Sequence, residues 1–377
     1  MTYRLRTHLQ AAAACLALLL GVAGGVEGNE TRGNIVVAQA ADFSGPDADF
    51  SRDFSLGAKV YFDHINATGG INGSRIVYRQ GDSAASSAKS LALAQGFVKE
   101  GAQVLFGFTG DQSVSAVAQD PAVRASGVPL FAPIASSTSA GIHENVFHLR
   151  ADVNAEVRAL VANLTTLGFR TFGLAIAGNY GKDTLAVVEA ELVANSAKLV
   201  SRANLAAGGD GLAKAAEAIA KGRPQAVIVL ADTLAASQFL RLYRAKDPGA
   251  FLGATSVVNV RTLVSVVGPG IARGLVVSQV VPNPLAMIDI SREHRKLMDR
   301  YADEPVSQAT LEGFVAAKAM VQLLRRSKDL SRASIQQAIA DGGRVDSGGL
   351  ELNIAKGARA SKFVEIAVVG PEGRLIR

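Results

Sequence analysis

The sequence is poor in cysteine and in aromatic residues. It holds one Cys and no Trp among 377 residues, and aromatic side chains make up only 6% of it. The single Cys15 falls inside an apolar N-terminal run, so a chain that loses this run has no thiol. We therefore expect neither disulfides nor a cysteine metal site, and hydrophobic cores alone must stabilise the fold.

Clusters of basic residues interleaved with aromatics are also missing. The 39 Lys and Arg are scattered among 33 Asp and Glu, which leaves a formal net charge of +6. Nucleic-acid surfaces usually combine basic clusters with stacking aromatics, so no nucleic-acid partner is expected. With 49% hydrophobic and 19% charged residues, the chain can fold, and its length fits two α/β lobes better than one core.

The N-terminus has the pattern of a secretory signal. Basic residues within Arg4–His8 precede the apolar run Leu9–Val22, and small residues follow it. The run is short for a membrane span. We predict a cleaved signal peptide over residues 1–28, with an uncleaved anchor as the alternative. Lipidation of Cys15 is disfavoured because apolar residues continue after it.

Beyond residue 33, short apolar runs alternate with helical segments. This alternation predicts an α/β fold of two doubly wound parallel-sheet lobes with right-handed crossovers. The predicted strands are Ile35–Ala40, Arg75–Gln80, Val104–Phe106, Pro129–Phe131, Phe172–Ile176, Lys198–Ala203, Ala226–Leu230, Phe251–Gly253, Gly274–Val280, Leu350–Asn353 and Lys362–Val369. The predicted helices are Asp53–Ala67, Ser86–Glu100, Gln112–Ala125, Ala155–Leu167, Gly181–Asn195, Gly211–Lys221, Ala235–Ala245, Ser291–Tyr301 and Ser307–Arg325.

Two stretches resemble catalytic motifs but lack residues that those motifs require. The stretch Gly178–Thr184 lacks the first Gly of a phosphate loop and has Asp183 where that loop needs Ser or Thr. The turn Gly81–Ala85 resembles a nucleophile elbow around Ser83, but Ala85 replaces its last Gly and no His lies in a recognisable motif. We expect a turn in which Asp82 or Ser83 caps the next helix, with no enzymatic activity, cofactor or metal site.

Several short stretches, taken in order, resemble the type I periplasmic binding proteins of the leucine/isoleucine/valine-binding family. The turn Ile65–Gly73 is similar to the family's INAxGGINGxxI turn, and Pro129–Pro133 to the strand that precedes a binding loop. Each motif is short, but their order from residue 34 to the end of the chain is specific. The other matching stretches are Phe43–Pro46, Gly57–Ala58, Asp82, Phe106–Gly107, Ala135–Ser136, Phe147–Arg150, Tyr180–Gly181 and Leu311–Phe314.

The resemblance implies two lobes that close around a small-molecule ligand and dock on an inner-membrane permease. The N-terminal lobe would comprise residues 34–149 plus 281–349, and the C-terminal lobe residues 150–280 plus 350–377. Three crossovers would lie near Arg150, Gln279–Pro282 and Gly348–Leu352. A periplasmic location and a monomer are implied as well.

The resemblance also assigns ligand contacts to seven positions. Two of them depart from the family pattern: Asp111 stands where a Ser holds an α-carboxylate, and Thr255 where an acid grips an α-ammonium. Asp111 would repel a carboxylate and Thr255 carries no charge, although Asp232 could replace the missing acid. We therefore expect a neutral, cationic or partly apolar ligand rather than a standard amino acid. The seven residues are Phe50, Asp111, Ile134, Ser136, Tyr180, Asp232 and Thr255.

Other functions remain open at this point. A lipid-like, sterol-like or aromatic compound could occupy the same apolar walls. A ligand sensor would use the same fold and differ only in its membrane partner, which gene neighbourhood would reveal. A serine hydrolase using Ser83 and a purely structural envelope protein are the remaining alternatives.

Overall fold

The computed structural model describes residues 33–135, 143–177, 180, 182–205 and 210–376. The predicted signal peptide over residues 1–28 lies outside them. Within these ranges, no helix has both the length and the apolar character needed to cross a membrane.

The first sheet is entirely parallel, with strand order β2-β1-β3-β4-β5. Its central strands are apolar and buried on both faces, as parallel strands covered by helices must be. The strands are β1 (Ile35–Ala41), β2 (Ile76–Asp82), β3 (Val104–Phe106), β4 (Leu130–Phe131) and β5 (Val146–Phe147).

The second sheet repeats this winding, with the order β14-β13-β10-β9-β8-β6-β7. Its core from β7 to β10 is parallel, and the last two strands add antiparallel at one edge. The strands are β6 (Thr171–Ala177), β7 (Lys198–Leu205), β8 (Ala226–Leu230), β9 (Phe251–Ala254), β10 (Val276–Gln279), β11 (Gly343–Asp346), β12 (Glu351–Ile354), β13 (Glu365–Val369) and β14 (Leu375–Ile376), of which β11 and β12 form a separate hairpin.

Helices cover both sheets, and the predicted two doubly wound lobes are confirmed. The predicted helix over Gln112–Ala125 is in fact two, because Asp120 caps a new helix at Val123 N–H and Pro121 occupies its first turn. The helices are α1 (Ala48–Ala67), α2 (Ser87–Lys99), α3 (Asp111–Gln119), α4 (Pro121–Ala125), α5 (Val153–Thr166), α6 (Lys182–Ala194), α7 (Asp210–Lys221), α8 (Thr233–Arg244), α9 (Val260–Val267), α10 (Pro269–Ala272), α11 (Asp289–Tyr301), α12 (Gln308–Leu324) and α13 (Arg332–Asp341).

The core of the first lobe depends on a close approach of α1 and α12. Gly57 on α1 lies so near the backbone of Thr310 that an added Cβ would sit 1.8 Å from the Thr310 carbonyl oxygen. Reciprocally, a Cβ on Gly313 would sit 1.9 Å from the carbonyl oxygen of Phe54. The two glycines therefore let the helix backbones touch. This pairing joins the beginning of the chain to a segment about 250 residues later.

The third crossover differs from the expectation at Gly348–Leu352. Leu350, Leu352 and Ile354 pack in the core of the first lobe, and the backbone N–H of Ser361 donates to the carbonyl of Leu149 at 2.9 Å. The apolar face of the β11–β12 hairpin needs this core, so the chain stays on the first lobe beyond residue 349. We propose that the crossover lies after Ser361, before β13.

One buried histidine makes the first lobe sensitive to acid. The ring of His294 is fully buried, 5.3 Å from the Phe314 ring, and neither of its nitrogens has a hydrogen-bond partner among the described residues. Burial, with a smaller contribution from Arg295, lowers the pKa of His294 to about 3.

We expect acid to destabilise the protein through His294. The unfolded chain binds a proton near the ordinary His pKa of about 6.5, whereas the folded chain does so only near pH 3. Stability should therefore fall as pH drops below about 6.5, by up to about 1.4 kcal/mol per pH unit. His294→Leu should flatten the profile of urea unfolding between these pH values. An unchanged slope in the variant would contradict the assignment.

Candidate ligand-binding site

The strand order fixes where a ligand can bind. In both sheets the winding reverses direction beside the first strand, between β1 and β3 and between β6 and β8. Loops that leave neighbouring parallel strands on opposite faces open a crevice at such a switch point. The segments after these four strands carry Asp47, Asp111, Tyr180 and Asp232.

Asp42 organises the turn between β1 and α1. Its carboxylate accepts hydrogen bonds from the backbone N–H groups of Gly45 at 2.6 Å and Asp47 at 2.9 Å. Its own backbone N–H donates to Thr109 Oγ1 at 2.9 Å, in the loop after β3. The two loops of the first lobe are thereby coupled. Asp47 is held at the start of α1, where its own side chain caps nothing.

A cleft of about 500 Å³, measured out to open solvent, lies between the lobes. Five of the seven predicted site residues line it. Its wall consists of Asp47, Phe50, Thr109, Gly110, Asp111, Ile134, Tyr180, Asp232 and Val257. A second pocket of about 340 Å³, also measured out to open solvent, shares Ile134 with the cleft. Its wall is mostly apolar and includes Phe54 and Leu149, together with the charged side chains of Arg150 and Glu312. Residues from both lobes thus line the cleft, and a mostly apolar pocket adjoins it at Ile134.

Two predicted site residues do not line this cleft. Thr255 is almost fully buried, at 1% exposure, and lies behind the cleft near Tyr180. Ser136 lies outside the described residues. Sequence reasoning missed Asp47, although it directly follows the Phe43–Pro46 motif and precedes a helix. An acid directly before a helix is usually a helix cap, so the sequence alone did not indicate that Asp47 lines the cleft.

Negative charge dominates the polar part of the cleft. Burial raises the pKa of Asp47 to about 7, and the nearby carboxylates of Asp232, Asp42, Asp49 and Asp111 raise it further in that order. Desolvation and like charges both disfavour the ionised form. Asp47 is therefore poised to gain or lose a proton near neutral pH.

Tyr180 supplies a neutral hydroxyl at the second-lobe wall. Burial raises the pKa of its phenol above the usual range. A hydrogen bond with the Thr255 side chain opposes this shift, and the carboxylates of Glu156, Asp111 and Asp47 add to it. Tyr180 thus remains protonated and can donate a hydrogen bond. Its ring adds an aromatic surface opposite Phe50 on the first lobe.

A buried charge cluster sits at the hinge beside the cleft. Arg150, at the first crossover, lies 3.5 Å from a carboxylate oxygen of Glu312 on α12 and 3.6 Å from one of Glu156 on α5. It also donates to Ser256 Oγ. Burial opposes the charge of Arg150, but the two carboxylates hold its pKa above the usual value. Burial raises the pKa of Glu312 and Arg150 opposes this shift.

The lobes also meet across an ion pair, which we name the interlobe latch: Asp53, Asn259, Arg261 and Ser307. Both carboxylate oxygens of Asp53 on α1 accept from Arg261 Nη2 at 2.5 Å, and one also accepts from Asn259 Nδ2 at 3.1 Å. Ser307 Oγ donates to the same carboxylate at 2.8 Å. Since Asn259 and Arg261 belong to the second lobe, the latch connects the two lobes directly.

The turn at Ser83 does not form a nucleophile site within the described residues. Ser83 is 1% exposed, and its Oγ has no hydrogen-bond partner there. The predicted cap was wrong: Ser86 caps α2 by accepting from the Lys89 N–H, while Asp82 accepts from Phe43 and Ala84 N–H groups in the turn. A buried, unactivated hydroxyl lacks the partner that nucleophilic catalysis requires.

Solved structures resemble this chain over nearly its whole length. An extracellular ligand-binding receptor from Verminephrobacter eiseniae ef01-2 superposes with a TM-score of 0.86 at 24% identity, covering 91% of this chain and all of its own. A substrate-binding periplasmic protein from Ralstonia solanacearum gives 0.84 at 26% identity, covering 91% and 99%. A possible leucine/isoleucine/valine-binding protein from Rhodopirellula baltica SH 1 gives 0.83 at 21%, covering 94% and 98%.

The family assignment comes from the sequence itself. No curated protein matches the chain significantly. Residues 34–367, however, match the family described as periplasmic binding protein, which is most of the chain. Other matched structures are described as ABC transporter substrate-binding proteins, at 16–17% identity. The chain belongs to the periplasmic binding protein family.

Proposed function

We propose that this protein captures a small, partly apolar ligand between its lobes and delivers it to an ABC-type permease without chemical change. The observation that supports this most is the cleft at the two switch points, which both lobes line and which the mostly apolar pocket adjoins at Ile134. Phe50 and Tyr180 provide aromatic walls, and carboxylates provide the polar end.

The ligand itself belongs to this proposal rather than to the family. Matched structures are described as binding a fatty acid in one case and isoleucine in another. The same fold therefore takes different guests. In this chain the residues that line the cleft determine which ligand binds, because affinity and specificity come from the few side chains that touch the ligand.

The first step of the test is to identify any ligand that the protein retains through purification. Native mass spectrometry of the purified full chain, followed by thermal-shift measurements with amino acids, amines, amides, aromatic acids and fatty acids, should identify a class that raises the melting temperature. Binding should leave the compound unaltered. Turnover of any of these compounds, or no stabilisation by any class, would contradict the proposed function.

Breaking the interlobe latch should favour the open state. Asp53→Asn removes the charge that pairs with Arg261 across the cleft. Without ligand, small-angle scattering should show a larger radius of gyration, and the panel compound that stabilises most should dissociate roughly tenfold faster.

The matched control for the latch is Asp63→Asn. Asp63 lies on the same helix and forms an ion pair within that helix, with Lys59. This variant should keep the wild-type radius and dissociation rate, because an exposed intrahelical pair contributes little. If both variants behaved alike, Asp53 would have no role in closure.

A further inference from the structure

In the described part of the chain, acidic side chains line the polar end of the cleft. Asp47, Asp111 and Asp232 come from three different loops, two on the first lobe and one on the second. No Lys, Arg or His belongs to the described lining. Closure of the lobes thus gathers carboxylates from both sides around one space.

Three arginines that the structure describes near the cleft already have partners. Arg150 lies between Glu156 and Glu312, and Arg261 is held by Asp53 in the latch. Arg359 lies 3.9 Å from a carboxylate oxygen of Asp152 and donates to backbone carbonyls. Each of these arginines therefore has a partner of its own, and Arg150 and Arg359 also attract the carboxylate of Asp111. The cleft carboxylates that form no ion pair among the described residues are those of Asp47 and Asp232.

Asp47 and Asp232 lack such partners in the described part of the chain. Asp232 accepts a hydrogen bond from the Ala235 N–H at 2.8 Å, but neither acid belongs to any ion pair there. The Asp47 side chain accepts no capping hydrogen bond. Two carboxylates enclosed in a closed cleft without counter-charge are costly, and a cation between them would remove that cost.

A further observation at the same place favours a bound ligand rather than a purely structural cluster. The rings of Phe50 and Tyr180 line the cleft together with the acids. Aromatic faces beside carboxylates attract alkylammonium groups.

We infer that the cleft selects a small organic cation, an amine or substituted ammonium that carries no carboxylate, with its apolar remainder toward Ile134. This inference rests on the proposed function and narrows it to a ligand class. The ammonium would lie between Asp47 and Asp232. A zwitterionic amino acid would bring its carboxylate into a cleft whose described lining offers no cation.

Four probes of one carbon skeleton separate the possibilities. Isopentylamine carries only an ammonium, 4-methylpentanoate only a carboxylate, leucine both, and 4-methylpentanamide neither. Isopentylamine should bind to the full chain at least about tenfold more tightly than each of the others by calorimetry. Calcium chloride and magnesium chloride are titrated in the same way. A divalent ion that binds more tightly than the amine would overturn the inference in favour of a metal site.

Asp232→Asn tests the charge without disturbing the helix, because Asn caps a helix as well as Asp does. Amine affinity should fall about tenfold or more, while the melting temperature without ligand stays the same or rises. Glu217→Gln is the control, an exposed acid on α7 outside the cleft, and should bind the amine normally. Equal amine binding by wild type and Asp232→Asn would overturn the inference.

The pH dependence supplies an independent readout. An alkylamine stays protonated from about pH 8 to about pH 6. Asp47 takes up a proton in this range, because burial and then the neighbouring carboxylates of Asp232, Asp42, Asp49 and Asp111 raise its pKa to about 7. Amine affinity should therefore weaken several-fold on acidification, and Asp47→Asn should abolish this dependence. A flat wild-type profile would contradict the role of Asp47.

The outcomes also separate this inference from the proposed function. If leucine or 4-methylpentanoate bound more tightly than isopentylamine and closed the lobes in scattering, the ligand class would be wrong and the capture function would stand. If no probe bound and no class in the wider panel stabilised the protein, both would fail.

Discussion

Replacing Gly313 by alanine should destabilise the first lobe by about 3 kcal/mol or more. The new Cβ would stand 1.9 Å from the carbonyl oxygen of Phe54, far inside contact distance, and that oxygen belongs to a helix backbone which cannot rotate away. The helices α1 and α12 would have to separate, and the residues between them would lose packing. Gly57→Ala should have a similar effect from the other side, against Thr310.

The matched control is Gly96→Ala on α2. No atom lies within 4 Å of the position its Cβ would take, so alanine only lowers the entropy of the unfolded chain. This variant should be more stable by about 0.4–1 kcal/mol. Urea unfolding followed by circular dichroism compares the three proteins. Similar curves for Gly313→Ala and Gly96→Ala would show that the helix backbones do not touch.

Replacing Arg150 by methionine should cost about 3–5 kcal/mol. Methionine fills much of the same volume but leaves Glu156 and Glu312 buried without their cation. Glu156 keeps hydrogen bonds from the Ser256 N–H and Ser278 Oγ, both at 2.7 Å. Glu312, whose pKa burial already raises, should then take up a proton.

This proton uptake makes the Arg150 prediction specific. The destabilisation of Arg150→Met should be smaller at acidic pH than at alkaline pH, because protonation removes the unpaired charge. The double variant Arg150→Met with Glu312→Gln should recover part of the loss. Arg158→Met, on the exposed side of α5 and paired with Glu191, should change stability by less than about 1 kcal/mol. An equal loss in Arg158→Met would contradict a special role of the hinge cluster.

Much of the fold could be read from local patterns. The strand Ala226–Leu230 was predicted to the residue, because a short apolar run after the polar Gln225 suits a strand buried on both faces. The helix Val260–Val267 was missed, since valines favour strands and only the cap at Asn259, which accepts from the Thr262 N–H, marks its start. The break at Pro121 could have been predicted from the proline itself.

The candidate site could be predicted only in part. The family resemblance supplied Phe50, Tyr180 and Asp232, and composition alone would have supplied none of them. The latch joins Asp53 to Arg261, 208 residues away, and no local pattern encodes a pair so distant. The clustering of carboxylates likewise appears only when the loops of two sheets meet.

The contact between α1 and α12 also governs the order in which the chain can fold. The second sheet takes its parallel strands β6–β10 from a continuous stretch, so that lobe can gather its core from nearby residues. The first lobe must wait for α12, because the face of α1 that carries Gly57 packs against that helix. A nascent chain released before residue 324 would expose that apolar face, and would be prone to aggregation or recognition by chaperones.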